Sequence, residues 1–213
     1  MPRAKIAQEE YYHIYNRGIN KENTFLHKND FIRALFLLLF FKSYFPIPNI
    51  GRQVEKFRRR LNLTDTEIEL SDIEKNRLVE ICAFSIMPNH FHFLLKEVQE
   101  GGISFYMQRF EIAYTKYFNI LHERSGYLFQ GPFQSVHVYD NEQLLYLTAY
   151  IHKNPKEWKQ YPWSSYQDFI SPSRWKNLLQ NEIILSQFSS KSEYKNFVET
   201  STAKEIDEDL LLE

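Results

Sequence analysis

The chain has 213 residues, 43% hydrophobic and 25% charged, a balance that predicts a globular fold rather than a disordered or membrane-spanning chain. Its longest apolar run, residues 34–41, falls far short of the roughly 18 residues a membrane helix needs. The formal net charge of −1 argues against nucleic acid when taken as a whole, but it averages two regions: residues 199–213 hold six acidic side chains against Lys204, leaving the remainder at +4. A single cysteine, Cys82, excludes an intrachain disulfide and a multi-cysteine zinc site. With a polar Gln8-Glu9-Glu10 in place of an apolar leader, the expectation is a reducing, cytoplasmic setting, with the nucleoid as its DNA-bound variant.

In chain order, residues 11–17 are rich in strand formers and close on Gly18, predicting a first strand followed by a turn or short hairpin. A helix over 31–44 follows, with Asn29 or Asp30 as N-cap and Pro46 and Pro48 as its stop. Residues 46–76 shift to Pro, Gly and charge and predict a polar insertion, with short helices near 53–61 and 71–77. Two apolar runs, 78–86 and 91–98, flank Met87-Pro88-Asn89 and predict an antiparallel hairpin. Helical apolar spacing covers 103–122, a short alternating strand 133–138, and a third helix runs from Asn141 to the Asn154-Pro155 pair. The order strand, helix, strand, strand, helix, strand and added helix predicts an α+β fold. Its form is the ferredoxin-like split βαβ, an antiparallel sheet with helices on one face. Residues 1–170 form the expected domain, and 171–213 a helical extension with an acidic tail.

Within Met87-Pro88-Asn89-His90-Phe91-His92, the two histidines are two apart on a predicted strand and therefore share a face. Adjacent neutral imidazoles can chelate a divalent ion; an isolated His-x-His is more often a structural or surface pair. In Tyr150-Ile151-His152-Lys153-Asn154-Pro155, Tyr150 and Asn154 are four apart on a helix and can point at one site, although a tyrosine here can also simply pack. Pro155 biases Asn154 away from the α region, which predicts the helix end at that point. His152 projects elsewhere and is read as structural or phosphate-contacting. Tyr114 and Tyr117 fall on the apolar repeat of their helix and are read as core. His13, His122 and His137 have no partner by spacing and are read as structural or surface.

Four ordered motifs carry a resemblance. Met-Pro-Asn-His-Phe-His at 87–92, Arg-Ser-Gly-Tyr-Leu-Phe-Gln-Gly at 124–131, Tyr-Ile-His-Lys-Asn-Pro at 150–155 and Tyr-Pro-Trp-Ser-Ser-Tyr at 161–166 together resemble the single-tyrosine HUH, or IS200-like, transposases. Among these the likeness is to the REP-associated tyrosine transposases, and the Tyr-His-Ile-Tyr-Asn-Arg-Gly run at 12–18 extends it. The likeness covers about residues 10–170, without the 46–76 stretch. It implies that His90 and His92 are metal ligands, Asn154 the third ligand and Tyr150 the nucleophile, with Mg2+ or Mn2+ as the only cofactor. The implied activity is a metal-dependent single-stranded DNA endonuclease and strand transferase. It would act on hairpin-bearing DNA through a 5′-phosphotyrosine. The competing readings are a metal nuclease that uses water and a domesticated hairpin-binding protein without turnover. A monomer is favoured over a dimer that swaps the tyrosine helix, and no membrane partner is expected.

Candidate DNA-contacting cations are Lys56, Arg58, Arg59 and Arg60 in the insertion, together with Arg17 and Lys153. The insertion cluster has an equally natural reading as a solvated helix face. Where relatives often carry basic residues after the Gln-Gly pair, this chain has Pro132 and Gln134, which weakens the expected backbone contacts on that strand.

Overall fold

The computed structural model describes residues 6–60 and 68–203; the Arg60 side chain, Leu61 and the acidic tail from Lys204 onward lie outside the described residues. Four strands, β1 (Tyr11–Arg17), β2 (Val79–Ile86), β3 (His90–Glu97) and β4 (Gln134–Val138), form one sheet in the order β2-β3-β1-β4. Every neighbouring pair is antiparallel. This is the expected ferredoxin-like arrangement. Opposed residues of an antiparallel pair share a face, and Tyr15 lies opposite His92. His13 and Tyr15 therefore share one face with His90 and His92, while Ile14, Phe91 and Phe93 turn to the other.

The second face is the main core. There α1 (Lys28–Phe40) packs beside α4 (Gly102–Leu121), and Phe110 meets Phe91 and Phe93 edge-on at 5.6 Å. The Tyr106 hydroxyl donates to the Leu38 carbonyl and that of Tyr114 to the Thr24 carbonyl, satisfying two phenols that are wholly buried. Helix α1 starts earlier than the sequence suggests: His27 is its N-cap, and Asp30, buried at the third position, reaches back to the amides of Leu26 and His27. It also ends at Phe40 rather than at 44, because Ser43 bridges Arg77 and the Lys42 carbonyl accepts from the Leu78 amide.

On the opposite face lies the added helix α5 (Asn141–Lys153), capped by Asp140, whose carboxylate accepts from the Gln143 amide. The exposed edge of β2 is covered by the Tyr-Pro-Trp-Ser-Ser-Tyr segment, where the Ile86 amide bonds the Trp163 carbonyl and the Ser165 amide bonds that of Phe84. After it come the short α6 (Tyr166–Ile170) and α7 (Glu182–Leu185), then α8 (Lys191–Thr200). No helix among the described residues is long and apolar enough to cross a membrane.

The insertion is less polar in function than in composition. It forms α2 (Ile50–Arg60) and α3 (Leu70–Lys75), and Phe57 is fully buried against Phe36, Phe40 and, from the C-terminal part of the chain, Trp175. Lys42, also fully buried, pairs with Glu74 at 2.5 Å, tying α3 to the end of α1. Burial holds the Lys42 pKa below its ordinary value, against the opposing pull of Glu74. Phe57→Ala is expected to cost about 3–5 kcal/mol by denaturant unfolding, whereas exposed Arg58→Ala should stay within about 0.5 kcal/mol of the parent.

Candidate active site

The hairpin that carries the histidines turns at Met87-Pro88-Asn89, where the Pro88 carbonyl accepts from the Thr24 and Phe25 amides and the Met87 amide reaches the His90 carbonyl. His90 and His92 then project from the same face of β3, with ring centroids 5.2 Å apart and planes nearly perpendicular. Asn89 holds the first ring. Its Nδ2 donates to the Lys21 carbonyl, which orients the carboxamide so that Oδ1 accepts from His90 Nδ1 at 2.6 Å.

From the far side α5 brings Asn154 and Tyr150. Helix α5 ends at Lys153, as expected, yet Asn154 keeps α-helical angles (φ −57°, ψ −45°) as the C-cap, so the steric bias of Pro155 is overridden. The carboxamide Oδ1 comes to 3.1 Å from His90 Nε2. His90 Nδ1 is committed to Asn89, so Nε2, when it carries no proton, presents a lone pair toward an oxygen that is itself an acceptor. Two acceptors converging in this way form a donor set suited to a cation. Among the described residues no group of three or more His, Cys, Asp or Glu is placed to hold a metal; the donors that meet here are imidazole and carboxamide. One turn back, the Tyr150 ring stands edge-on to His92 at 5.4 Å and is buried.

His13, which no spacing rule singled out, joins the group from β1. It is buried, and its Nε2 lies 2.8 Å from His92 Nδ1, with ring centroids 5.0 Å apart and planes inclined by 18°. Burial lowers the His13 pKa to about 3. Burial first, then repulsion by Arg17 and by the protonated forms of His13 and His90, pushes His92 well below the ordinary histidine value. Both rings are therefore neutral near pH 7, the form in which imidazole ligates metals. Beside them opens a polar cavity of about 520 Å³, lined by Tyr15, Arg17, Lys21, Gln130 and Gln134 among others.

What holds α5 in place is a buried network around His152. Its Nε2 lies 2.8 Å from Ser165 Oγ and its Nδ1 2.8 Å from the Tyr194 hydroxyl. Ser165 Oγ also accepts the Phe84 amide and lies 3.2 Å from the Phe84 carbonyl. One proton arrangement satisfies every group: His152 Nε2–H and the Phe84 amide donate to Ser165, Ser165 donates to the Phe84 carbonyl, and Tyr194 donates to His152 Nδ1. Burial holds the His152 pKa near 3, so the ring is neutral. Of its two sequence readings, the structural one stands.

The predicted cations are dispersed. Arg17 lies opposite His90 in the sheet. Lys153 donates to the Ser201 carbonyl and so is engaged by the C-terminal segment. Lys56, Arg58 and Arg59 ride on α2, which packs on α1, across the sheet from the imidazoles; Arg58 pairs with Glu55 at 2.7 Å. Tyr114 is core, as expected, and Tyr117 packs partly buried against it with its hydroxyl on Asp30. His122 lies 3.9 Å from Asp30, and His137 pairs with Glu10 at 3.1 Å. Of the two residues missed, Asn89 stands within the histidine motif itself, and His13 becomes visible only once β1 is paired with β3.

Residues 55–154 match the family model described as Transposase IS200 like, a span that contains His90, His92, Tyr150 and Asn154. That segment is similar to the IS200-like transposases. The match begins inside the insertion, all of which the motif likeness had left out, and stops at Asn154, the C-cap of α5. The chain is also similar to a solved structure described as the REP-associated tyrosine transposase bound to a REP hairpin. The TM-score is 0.52 with 14% identity, covering 89% of this chain and 95% of that one. At that identity the likeness establishes the shared fold. No curated protein sequence matches this chain significantly. The IS200-like segment depends on contacts from beyond its end, Ser165 and Tyr194, to seat its last helix. Tyr194→Phe, which deletes one buried hydrogen bond and leaves His152 Nδ1 unpaired, is expected to lower stability by about 1–3 kcal/mol in thermal unfolding.

Proposed function

We propose that this chain is a transposase-like enzyme that nicks and rejoins single-stranded DNA bearing a hairpin, with Tyr150 as nucleophile and His90, His92 and Asn154 as ligands of Mg2+ or Mn2+. The observation that carries the reading is the convergence of His90 Nε2 and Asn154 Oδ1 beside His92, with Tyr150 on the same helix as Asn154 and edge-on to His92. The family match supports the transposase class, and the hairpin named for the similar structure supports the choice of substrate.

In this reading Tyr150 Oη attacks the scissile phosphorus. A phosphorus–oxygen bond to the tyrosine forms, the bond to the 3′ oxygen breaks, the phenolic proton leaves to solvent and the departing oxygen takes up a proton as a 3′-hydroxyl. The 5′-phosphotyrosine keeps the phosphodiester energy for rejoining. A divalent ion would supply charge stabilisation at the phosphoryl oxygens. Asn89 and His13 hold the two imidazoles, and the His152 network holds α5, so that the reacting groups are pre-aligned rather than gathered at each turnover. The cavity with Arg17 and Lys21 is the natural path for the strand beside the scissile bond. A monomer suffices, since Tyr150 packs on His92 of its own chain. We further propose that residues 1–170 are the catalytic unit and 171–213 an extension that seats α5.

Incubation with labelled single-stranded hairpin DNA and Mn2+ should give a denaturant-resistant protein–DNA adduct that is absent in Tyr150→Phe. Cleavage that survives Tyr150→Phe without an adduct would point to water as the nucleophile. Binding without cleavage across a panel of hairpins would point to a binding protein. His90→Ala should abolish metal-dependent cleavage while the far-ultraviolet circular dichroism stays that of the parent.

A further inference from the structure

The two histidines of the β3 motif are held alike. Asn89 Oδ1 engages His90 Nδ1, and His13 Nε2 engages His92 Nδ1. In each ring the Nδ1 atom is tied to a neighbour, so Nε2 is the nitrogen left to face the site. The Asn89 contact lies inside the motif and is local. The His13 contact is long-range, made across the sheet from β1, by a side chain buried against Tyr15, Tyr150 and His92.

The proton count gives His13 a definite task. A neutral imidazole has one N–H and one lone pair. If the His92 proton sits on Nε2, that nitrogen has no lone pair for a ligand. It must sit on Nδ1, whose hydrogen-bond partner among the described residues is His13 Nε2, and His13 must then act as acceptor. His13 Nδ1 has no hydrogen-bond partner among the described residues, so nothing else in the site dictates which of its nitrogens is protonated. The ring is free to take the tautomer that His92 requires.

We propose that His13 is a positioning residue for the metal centre: it accepts from His92 Nδ1–H and thereby turns the His92 Nε2 lone pair toward the cation. This rests on the ligand role proposed above for His92. Partners of this kind typically contribute a factor of about 10 to 100 in metal affinity.

The test uses the full chain and Mn2+ alone, with the free aqueous ion measured by electron paramagnetic resonance. His13→Phe keeps a ring of similar size without an acceptor. In His13→Gln, the terminal amide reaches the place of the imidazole Nε2 and can accept. His13→Phe should weaken Mn2+ binding about 10- to 100-fold, and His13→Gln should restore it to within a few-fold of the parent. Parent-like affinity in His13→Phe, or equal loss in both variants, overturns the proposal. Nitrogen-15 spectra of the metal-free parent need no variant: a coupling across the hydrogen bond between His92 Nδ1 and His13 Nε2 is expected, and its absence also overturns it. If the parent fails to bind Mn2+, or His90→Ala binds it equally well, the metal reading falls instead. The His13 contact is then judged by the nitrogen spectra alone: His92 shifts that move in His13→Phe and not in His13→Gln support it, and unmoved shifts refute it.

Discussion

The pairing of β1 with β3 is the constraint on which the site depends. In the observed register Tyr15 faces His92 and Arg17 faces His90, so the polar and aromatic residues of both central strands collect on one face while Ile14, Phe91 and Phe93 fill the other. Strand side chains alternate with a period of two, and a slip of one residue would send the imidazoles into the core and the phenylalanines toward α5. The cost of burying His90 and His92 in an apolar layer, and of exposing three large apolar side chains, makes that slip prohibitive. The hydrophobic core thus sets the register, and the register assembles the site.

A second level of organisation is polar. The site side of the sheet is buried enough to keep His13 and His92 uncharged, yet each imidazole nitrogen there needs a partner or a purpose. Asn89, His13 and Asn154 meet that need around the two ligand candidates, and Ser165 and Tyr194 meet it around His152. The first set orients the two imidazoles and brings Asn154 Oδ1 to 3.1 Å from His90 Nε2. The second fixes the helix that brings Tyr150 and Asn154. Each contains residues from distant parts of the chain, which is why neither can be judged from one motif alone.

Local signals were enough for most of the fold. Alternation and the Pro88-Asn89 turn predicted the hairpin, spacing predicted α4 and α5, and the order of elements predicted the ferredoxin-like sheet. Even the ends of α5 were legible at Asn141 and at the Asn154-Pro155 pair, although its cap Asp140 was not. The site was half legible: His90 and His92 share a face by strand geometry, and Tyr150 and Asn154 by helix geometry, before any tertiary contact is known. His13 was not legible, because a lone histidine on a strand has no partner until strand pairing supplies one. Phe57 and Trp175 were not either. Both sit in polar surroundings, and their burial follows from meeting each other across the fold. The start of α1 was misjudged because Asp30 caps from inside the helix rather than from its first position.

The network around His152 also imposes an order on how the chain reaches its final form. Its members leave the site of synthesis one after another: Phe84 is already available when His152 appears, Ser165 follows thirteen residues later and Tyr194 forty-two residues later. Until that last phenol arrives, His152 Nδ1 must find water or remain unpaired, so α5 docks with an incomplete anchor. A nascent chain therefore displays both histidines and the tyrosine before the helix that carries Tyr150 is fully anchored. Helix α8, remote in sequence from the chemistry, acts through Tyr194 as the closing clasp on α5.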